Sequence, residues 1–410
     1  MSVRDMTTST DDRNRNPRHT WWYRFFMRVP VRCFLLPIGS KILNIRTERY
    51  RGEMPRRPFI MVFNHASDYD FIGTIRGIPE YGRYIMSDEL IKMPLMKIII
   101  NCVTNGIYRR KGENADKVVD AVKTTLDKGI NVYFAAEGEE SFNGATAPIR
   151  GRTGSLIKEM NVDVITYRME GGYFIKPKWT QHKSKGPMFG KVVAIHTKEE
   201  LAEMSPEEVN AVLSKDLWLN VYDWQKEHHI PYDRKDRAEW MEKILYKCPK
   251  CEGMYHLKSE HHDLFCTECG YRVSVNEYGL FEGNDLRFDN LYDWDVWQKE
   301  CLKSCRPDWE RNPDKAITSN DHLKFVKMNG DRTEILDEDV HLEITFKEII
   351  VKGENTEMRF PLDDMGLASV RNGIGISYHG TYYKVLLKDY QACMLRYRTI
   401  RRIIMNRNDY

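Results

Sequence analysis

Phe59-Ile60-Met61-Val62-Phe63-Asn64-His65-Ala66-Ser67-Asp68-Tyr69-Asp70 is the stretch on which the reading of this chain turns. Its first five residues are an unbroken apolar run, the pattern of a strand buried on both faces. His65 and Asp70 follow where that strand gives way to a loop or helix, a common place for catalytic groups. Histidine is the usual general base near neutral pH. A nearby carboxylate can hold its tautomer and stabilise the imidazolium. On a regular helix, five residues is about 140° of rotation, so the two side chains meet only if the segment starts irregularly. The competing reading is a helix cap, with Ser67 or Asp68 satisfying free amides.

Outward from this stretch, residues 51 to about 233 alternate strand and helix. A helix is expected from Asp116 to Lys128, with Asn114 as N-cap and Gly129 as its stop. Strands are expected over Ile130–Ala135 and Val162–Met169, and a helix over Glu199–His228 with Ser205-Pro206 as a typical start. The alternation argues for an α/β layer fold, a mixed sheet flanked by helices.

Two further segments stand near this strand edge. Ala136-Glu137-Gly138-Glu139-Glu140-Ser141 directly follows the strand ending at Ala135, and Asn105-Gly106-Ile107-Tyr108-Arg109-Arg110-Lys111 is a basic cluster before a helix, suited to phosphate. In this order the segments resemble the glycerolipid acyltransferase family, typified by 1-acyl-sn-glycerol-3-phosphate acyltransferase. Asn64, His65 and Asp70 match its first block. Gly106 to Arg110 is similar to the second, with either Arg109 or Arg110 in the place of the family arginine. Glu137, Gly138 and Ser141 match the third, and Val164-Ile165-Thr166-Tyr167 is the candidate for the fourth.

The resemblance covers residues 45 to about 230. It implies transfer of an acyl group from acyl-CoA or acyl-carrier protein to a lysophospholipid hydroxyl, with His65 as base and Asp70 as its orienter. Asn64, Gly106, Arg109, Arg110, Glu137 and Gly138 would bind substrate, and no catalytic cofactor is needed. The chain departs from the pattern at Ala136, where the family has proline, and at Glu140, where it has arginine. Glu139 and Glu140 should repel a phosphate unless Arg109, Arg110, or Arg150 and Arg152 compensate. The alternatives are a different acceptor, a solvated acidic loop, or a non-catalytic lipid-binding scaffold.

The second strong motif is Cys248-Pro249-Lys250-Cys251, fourteen residues, then Cys266-Thr267-Glu268-Cys269. Two such knuckles present four thiolates to one tetrahedral, structural Zn²⁺. Gly270, and also Gly253, suit the tight knuckle turns. The other five of nine cysteines show no framework, which fits a reducing compartment. Short strands with turn signals follow: Leu323–Val326, His341–Lys352, Glu357–Phe360, Gly375–Tyr378 and Tyr382–Leu387. A helix over Tyr390–Asn406 completes a small mostly-β domain that resembles a pleckstrin-homology domain.

The 410 residues carry a net charge of +3, so no global field points to nucleic acid, and none is expected as a partner. The expected division is a disordered tail over 1–20, an acyltransferase domain with an interfacial lead over 21–235, a zinc ribbon over 236–285, and the β domain over 286–410. Trp21 to Leu43 interleaves aromatics, leucines and arginines, and Pro30 and Pro37 interrupt it. It reads as an interfacial anchor or as a helix covering the next domain's core. No apolar run reaches the roughly 18 residues of a spanning helix, and the first twenty residues lack a signal peptide's apolar core. A peripheral position on the cytoplasmic membrane face is expected. Arg396, Arg398, Arg401, Arg402 and Arg407 either meet anionic lipid or form a solvated helix face. His182, His196, His228 and His229 read as surface residues, and Trp179 as core or as a neighbour of the acyl entrance.

Overall fold

The computed structural model describes residues 30, 33–34, 36–78, 80–87, 106–109, 116–329, 332–354, 356–370, 372–388 and 391–406. Arg110 and Asn114, and the lead from Trp21 to Val29, lie outside them. The chain forms two compact units: Met1–Ser141, Ala145–Lys176 and Ser184–Tyr232 in one, and Phe142–Gly144, Pro177–Lys183 and Asp233–Tyr410 in the other.

The first unit is built on strands β1 (Ile45–Thr47), β2 (Phe59–Phe63), β3 (Gly82–Ser87), β4 (Ile107–Arg109), β5 (Asn131–Ala135), β6 (Asp163–Glu170) and β7 (Met188–His196). They form one sheet in the order β1-β7-β6-β2-β5-β3-β4. Its pairings are parallel except β6 with β7, so the sheet is mixed. β2 sits centrally and all five of its residues are buried, as its apolar run requires. Phe63 pairs with Ala135 on one side and Tyr167 on the other, which sets the ends of β2 and β5 level.

Helices α1 (Leu36–Ile42), α2 (Asp70–Gly77), α3 (Asp116–Asp127), α4 (Arg152–Met160) and α5 (Gly172–Ile175) belong to this unit. On one face of the sheet Ile60, Val62, Val132, Phe134 and Val164 pack with Ala121, Val122 and Leu126 of α3 and Ile157 of α4. Phe59, Tyr84 and Tyr133 form ring contacts of their own. α2 approaches Tyr167 closely because Gly73 and Gly77 lack side chains. Tyr167 donates to the Gly73 carbonyl at 3.3 Å, and a Cβ on Gly77 would lie 2.1 Å from the Tyr167 hydroxyl. Arg83, fully buried, donates to Thr125 Oγ1 at 2.9 Å and to the Gly106 carbonyl at 3.2 Å.

The helix expected over Glu199–His228 is three: α6 (Lys198–Ala202), α7 (Pro206–Leu217) and α8 (Val221–His228). Capping boxes Thr197–Glu200 and Ser205–Glu208 start the first two, and Pro206 has no amide to continue α6. Asn220 accepts from the Tyr222 amide at 3.1 Å and starts the third.

In the second unit β8 (Leu257–Glu260), β9 (Asp263–Cys266), β10 (Arg272–Val275) and β11 (Phe281–Glu282) form an antiparallel sheet carrying the cysteines. After α9 (Leu291–Ser304) and α10 (Arg306–Arg311) come β12 (Thr318–Asn329), β13 (Arg332–Ile344), β14 (Glu348–Gly353), β15 (Glu357–Pro361), β16 (Gly366–Val370), β17 (Gly373–Tyr378) and β18 (Thr381–Leu387). This antiparallel sheet has the order β15-β14-β13-β12-β18-β17-β16. It curls on itself: Phe360 of β15 lies 5.4 Å from the ring of Tyr378 of β17. α11 (Leu395–Ile404) packs against β16 and β17.

The single strand expected over His341–Lys352 is two. Thr345 breaks it, its hydroxyl accepting the amides of Lys347 and Glu348 at 3.2 and 3.1 Å. The arginines of α11 are not all solvated or free for lipid. Arg396 and Arg401 are buried; Arg396 donates to Thr318 Oγ1 at 2.9 Å and Arg401 to the Leu362 carbonyl at 2.9 Å. Among the described residues no helix is long and apolar enough to cross a membrane.

Candidate functional site

The residue after β2 is Asn64, whose side chain acts as one more rung of the sheet. Its Nδ2 donates to the Met169 carbonyl at 2.9 Å and its Oδ1 accepts the Met169 amide at 2.6 Å. Both ends of the amide therefore hold β2 to β6. His65 leaves the strand next. Its amide donates to Glu137 Oε1 at 3.1 Å and its carbonyl accepts the Ser141 amide at 3.1 Å. The loops after β2 and β5 are thus tied backbone to backbone around the histidine.

α2 begins only at Asp70, so residues 65 to 69 are free to turn. The turn brings His65 Nδ1 to 2.9 Å from Asp70 Oδ2. The same carboxylate accepts the amides of Ala66 at 2.8 Å and Ser67 at 3.0 Å, and its Oδ1 accepts the Ser67 hydroxyl at 3.2 Å. Asp70 is buried, whereas the His65 side chain is 32% exposed. Neither Ser67 nor Asp68 caps α2: its N-cap is Tyr69, with no side-chain cap. The carboxylate of Asp70 instead gathers the amides of the loop before the helix. With Nδ1–H donating to Asp70, Nε2 is the ring atom left to take a proton.

Glu137 lies beneath this loop. Burial pushes its carboxyl up to about 8, against the lowering effect of the His65 and Ala147 amides and the His65 charge; Asp70 adds to the rise. Among the described residues its Oε2 is buried with no hydrogen bond within normal distance and angle. Gly138 turns the chain at φ +67°, and a Cβ there would lie 2.2 Å from Arg150 Nε. Arg150 closes over the loop, donating to the Glu137 carbonyl at 3.2 Å and the Gly138 carbonyl at 3.3 Å. Glu140 is only 7% exposed, which overturns the solvated-loop reading for that residue.

Arg109 ends β4, half-buried, and its guanidinium is held below its ordinary value by burial and by the positive charge of Arg150. Gly106 is buried and contributes its carbonyl to Arg83; its side-chain position faces Met86. Val164 to Tyr167 lie inside β6, where Thr166 donates to Asp216 at 2.9 Å. Sequence reasoning missed the parts of Ser67 and Arg83. It named Arg150 only as a possible counter-charge, not as the fastener of the glutamate-glycine loop. His182 and His196 are not isolated: His196 Nε2 lies 2.7 Å from Asp216, and His182 contacts Glu239.

In the second unit Cys248, Cys251, Cys266 and Cys269 converge, with all four sulfurs within 4.8 Å of one another. Cys248 and Cys269 are 3.6 Å apart, and Cys251 and Cys266 are 3.8 Å apart. A tetrahedron with metal–sulfur bonds of about 2.3 Å has edges of about 3.8 Å, so the four thiols fit a metal ion of zinc's preference. Gly270 supplies the left-handed turn of the second knuckle at φ +70°. In the first knuckle Glu252 does so, at φ +58°, rather than Gly253.

Residues 44–170 match the family model described as Acyltransferase. Among solved structures the chain is similar to the 1-acyl-sn-glycerophosphate (LPA) acyltransferase PlsC from Thermotoga maritima. The identity is 21%, over 48% of this chain and 84% of that one, with a TM-score of 0.38. It is also similar to the C-terminal domain of an unknown protein from Leishmania infantum, at 13% identity over 26% of this chain and 98% of that one, TM-score 0.17. A third likeness is to a structure of the PH and C1 domains of the Vav1 exchange factor, at 8% identity over 27% and 32%, TM-score 0.15. No curated protein matches.

Proposed function

We propose that the first unit is an O-acyltransferase that moves a fatty acyl group from acyl-CoA or acyl-carrier protein to a lysophospholipid hydroxyl, such as that of 1-acyl-glycerol-3-phosphate. The observation that carries this is the pairing of a partly exposed His65 with a buried, fully hydrogen-bonded Asp70. Nε2 of His65 takes the proton of the acceptor hydroxyl as its oxygen attacks the thioester carbonyl. Asp70 holds the tautomer and stabilises the imidazolium, and backbone amides stabilise the oxyanion. When the thiolate leaves, the imidazolium returns the proton to it. Glu137 holds the His65 backbone, and Arg109 and Arg150 are the cations offered to the acceptor's phosphate; Arg110 is proposed alongside them from sequence.

The test is acyl-CoA consumption across a panel of lysophospholipids and neutral lipid alcohols. Equal rates for wild type and His65→Ala with every acceptor would sink the enzyme reading. They would favour the second reading, a non-catalytic lipid-binding scaffold, which Glu139 and Glu140 motivate.

The cysteine cluster is proposed to hold one structural Zn²⁺, with no open position for catalysis. The β domain is proposed as a pleckstrin-homology-like module for partner or lipid binding. A peripheral position on a membrane, proposed to be its cytoplasmic face, finds support for the membrane contact alone in Phe34, Ile38 and Ile42, spaced four residues apart and 62%, 57% and 76% exposed. Liposome flotation with and without residues 1–45 tests it: equal flotation of both forms rules the anchor out.

A further inference from the structure

We infer that His182, Asp236 and Glu239 form a binding site for a divalent first-row transition-metal ion, distinct from the four-cysteine centre. The imidazole and two carboxylates each offer one ligand atom, and these atoms lie within 4.8 Å of one another. His182 Nε2 is 4.0 Å from Asp236 Oδ2 and in direct contact with the Glu239 carboxylate. All three residues belong to the second unit, although His182 is distant from the other two in sequence.

The local fold holds the donors in place. Trp179 is buried with the Arg234 guanidinium 4.9 Å from its ring, which anchors the loop bearing His182. Thr180 Oγ1 accepts the His182 amide at 3.2 Å, and the His182 ring lies 6.5 Å from that of Trp240. Trp240 is itself fixed, its amide donating to Ser259 Oγ at 2.6 Å. Asp236 uses its other oxygen to bond His261 Nδ1 at 2.7 Å. An outer partner of that kind orients a ligating carboxylate.

Charge and stoichiometry favour a cation here. His182 Nε2 contacts Glu239 and stops 4.0 Å short of Asp236 Oδ2, the oxygen that His261 leaves open, whereas an ion among them serves all three groups. Lys235, 3.9 Å from Asp236 and 84% exposed, is too solvated to neutralise the pair. One nitrogen and two oxygen donors select zinc, cobalt or nickel over magnesium or calcium. Donors about 2.0–2.1 Å from a tetrahedral ion stand about 3.4 Å apart. Binding would part His182 from Glu239 and draw Asp236 in, with water completing the shell. His182 and Glu239 are 37% and 32% exposed, so both can rotate without disturbing a core.

The test uses the full-length protein, incubated with excess Co²⁺, passed through gel filtration, and assayed for metal per chain and absorption spectrum. Wild type should carry about one equivalent more than His182→Ala or Glu239→Gln. That extra ion should show d–d absorption without the thiolate charge-transfer band of a cysteine site. Equal metal content in wild type and both variants would overturn the inference. So would a wild-type spectrum showing thiolate-bound cobalt alone, a result that needs no variant to fold. Metal retained by His182→Ala also defeats it, since the imidazole would then not be a ligand.

Discussion

Asp70→Asn is the sharpest probe of the proposed mechanism. The native carboxylate accepts on both oxygens: His65 Nδ1, Ala66 N and Ser67 N at 2.9, 2.8 and 3.0 Å on Oδ2, and Ser67 Oγ at 3.2 Å on Oδ1, where the shared Ser67 amide also reaches at 3.1 Å. An amide keeps one acceptor and introduces one donor. If its NH₂ replaces Oδ2, it faces the Ala66 and Ser67 amides and forces His65 Nδ1 to accept. The proton then sits on Nε2 and the base is lost, a tautomer error that costs about 10⁴ in kcat where it has been seen. If its NH₂ replaces Oδ1, the Ser67 hydroxyl can turn to accept and His65 keeps its tautomer. What is then lost is one charge-assisted hydrogen bond to the imidazolium, about 1.5–3 kcal/mol, or roughly 10- to 150-fold. The second orientation strands fewer donors and should dominate, so kcat should fall on the order of 10²-fold. Acyl-CoA consumption at saturating acceptor measures it, with thermal unfolding run alongside. A folded variant with kcat within about threefold of wild type would refute the role of Asp70.

Glu137→Gln keeps an acceptor for the His65 amide but removes a carboxyl that burial raises to about 8. The folded state of wild type binds a proton that the unfolded state releases near 4.5, so its contribution is complete below that pH and is lost as pH rises through about 8. Thermal unfolding from pH 5 to 8 should therefore decline more steeply for wild type than for the variant, and parallel declines would contradict this. Gly77→Ala places a Cβ 2.1 Å from the buried Tyr167 hydroxyl, whereas Gly73→Ala meets the movable end of Met169 at 2.4 Å. The first should lower stability by about 1–3 kcal/mol and the second by less, in denaturant unfolding. Cys266→Ala should lose about one zinc per chain by metal analysis and unfold the ribbon; a folded ribbon without metal would oppose the zinc assignment.

Much of the first unit was legible because its signals are local. Phe59–Phe63 is apolar without a break, and the helix before Gly129 shows one apolar face, so both were placed within a residue or two. The errors came where a local signal was outweighed or unread. Thr197 with Glu200 and Ser205 with Glu208 are capping boxes of equal clarity, and each starts a helix of its own, so a stretch that reads as one helix is three. Gly366–Val370 has little strand propensity of its own and is a strand because it pairs with β17. Helix periodicity gives Arg396 and Arg401 the look of cations for lipid, because it cannot reveal the acceptors that await them: the Thr318 hydroxyl and Ser319 carbonyl of β12 for Arg396, and the Leu362 and Met365 carbonyls between β15 and β16 for Arg401. Arg83, buried within the sheet domain, is the same case: its partners Thr125 and Gly106 lie far along the chain.

The candidate site divides along the same line. The order of His65, Asp70, Arg109 and Glu137 is written in the chain, but their chemistry depends on contacts it does not spell out. His65 and Asp70 meet because Ser67 and the Ala66 amide draw the carboxylate back over an irregular turn, which spacing alone left open. The charge of the glutamate-glycine loop is a three-dimensional question too. Position by position, Glu139 and Glu140 argue against a phosphate. In space, Arg150 reaches back to the carbonyls of Glu137 and Gly138, and only a glycine at 138 leaves it room. Its charge is felt by Arg109, so two guanidinium groups, not two carboxylates alone, set the field at that edge of the sheet. A cation supplied by a different segment can thus offset acidic residues in the loop itself, and the motif's missing arginine does not by itself exclude an anionic acceptor.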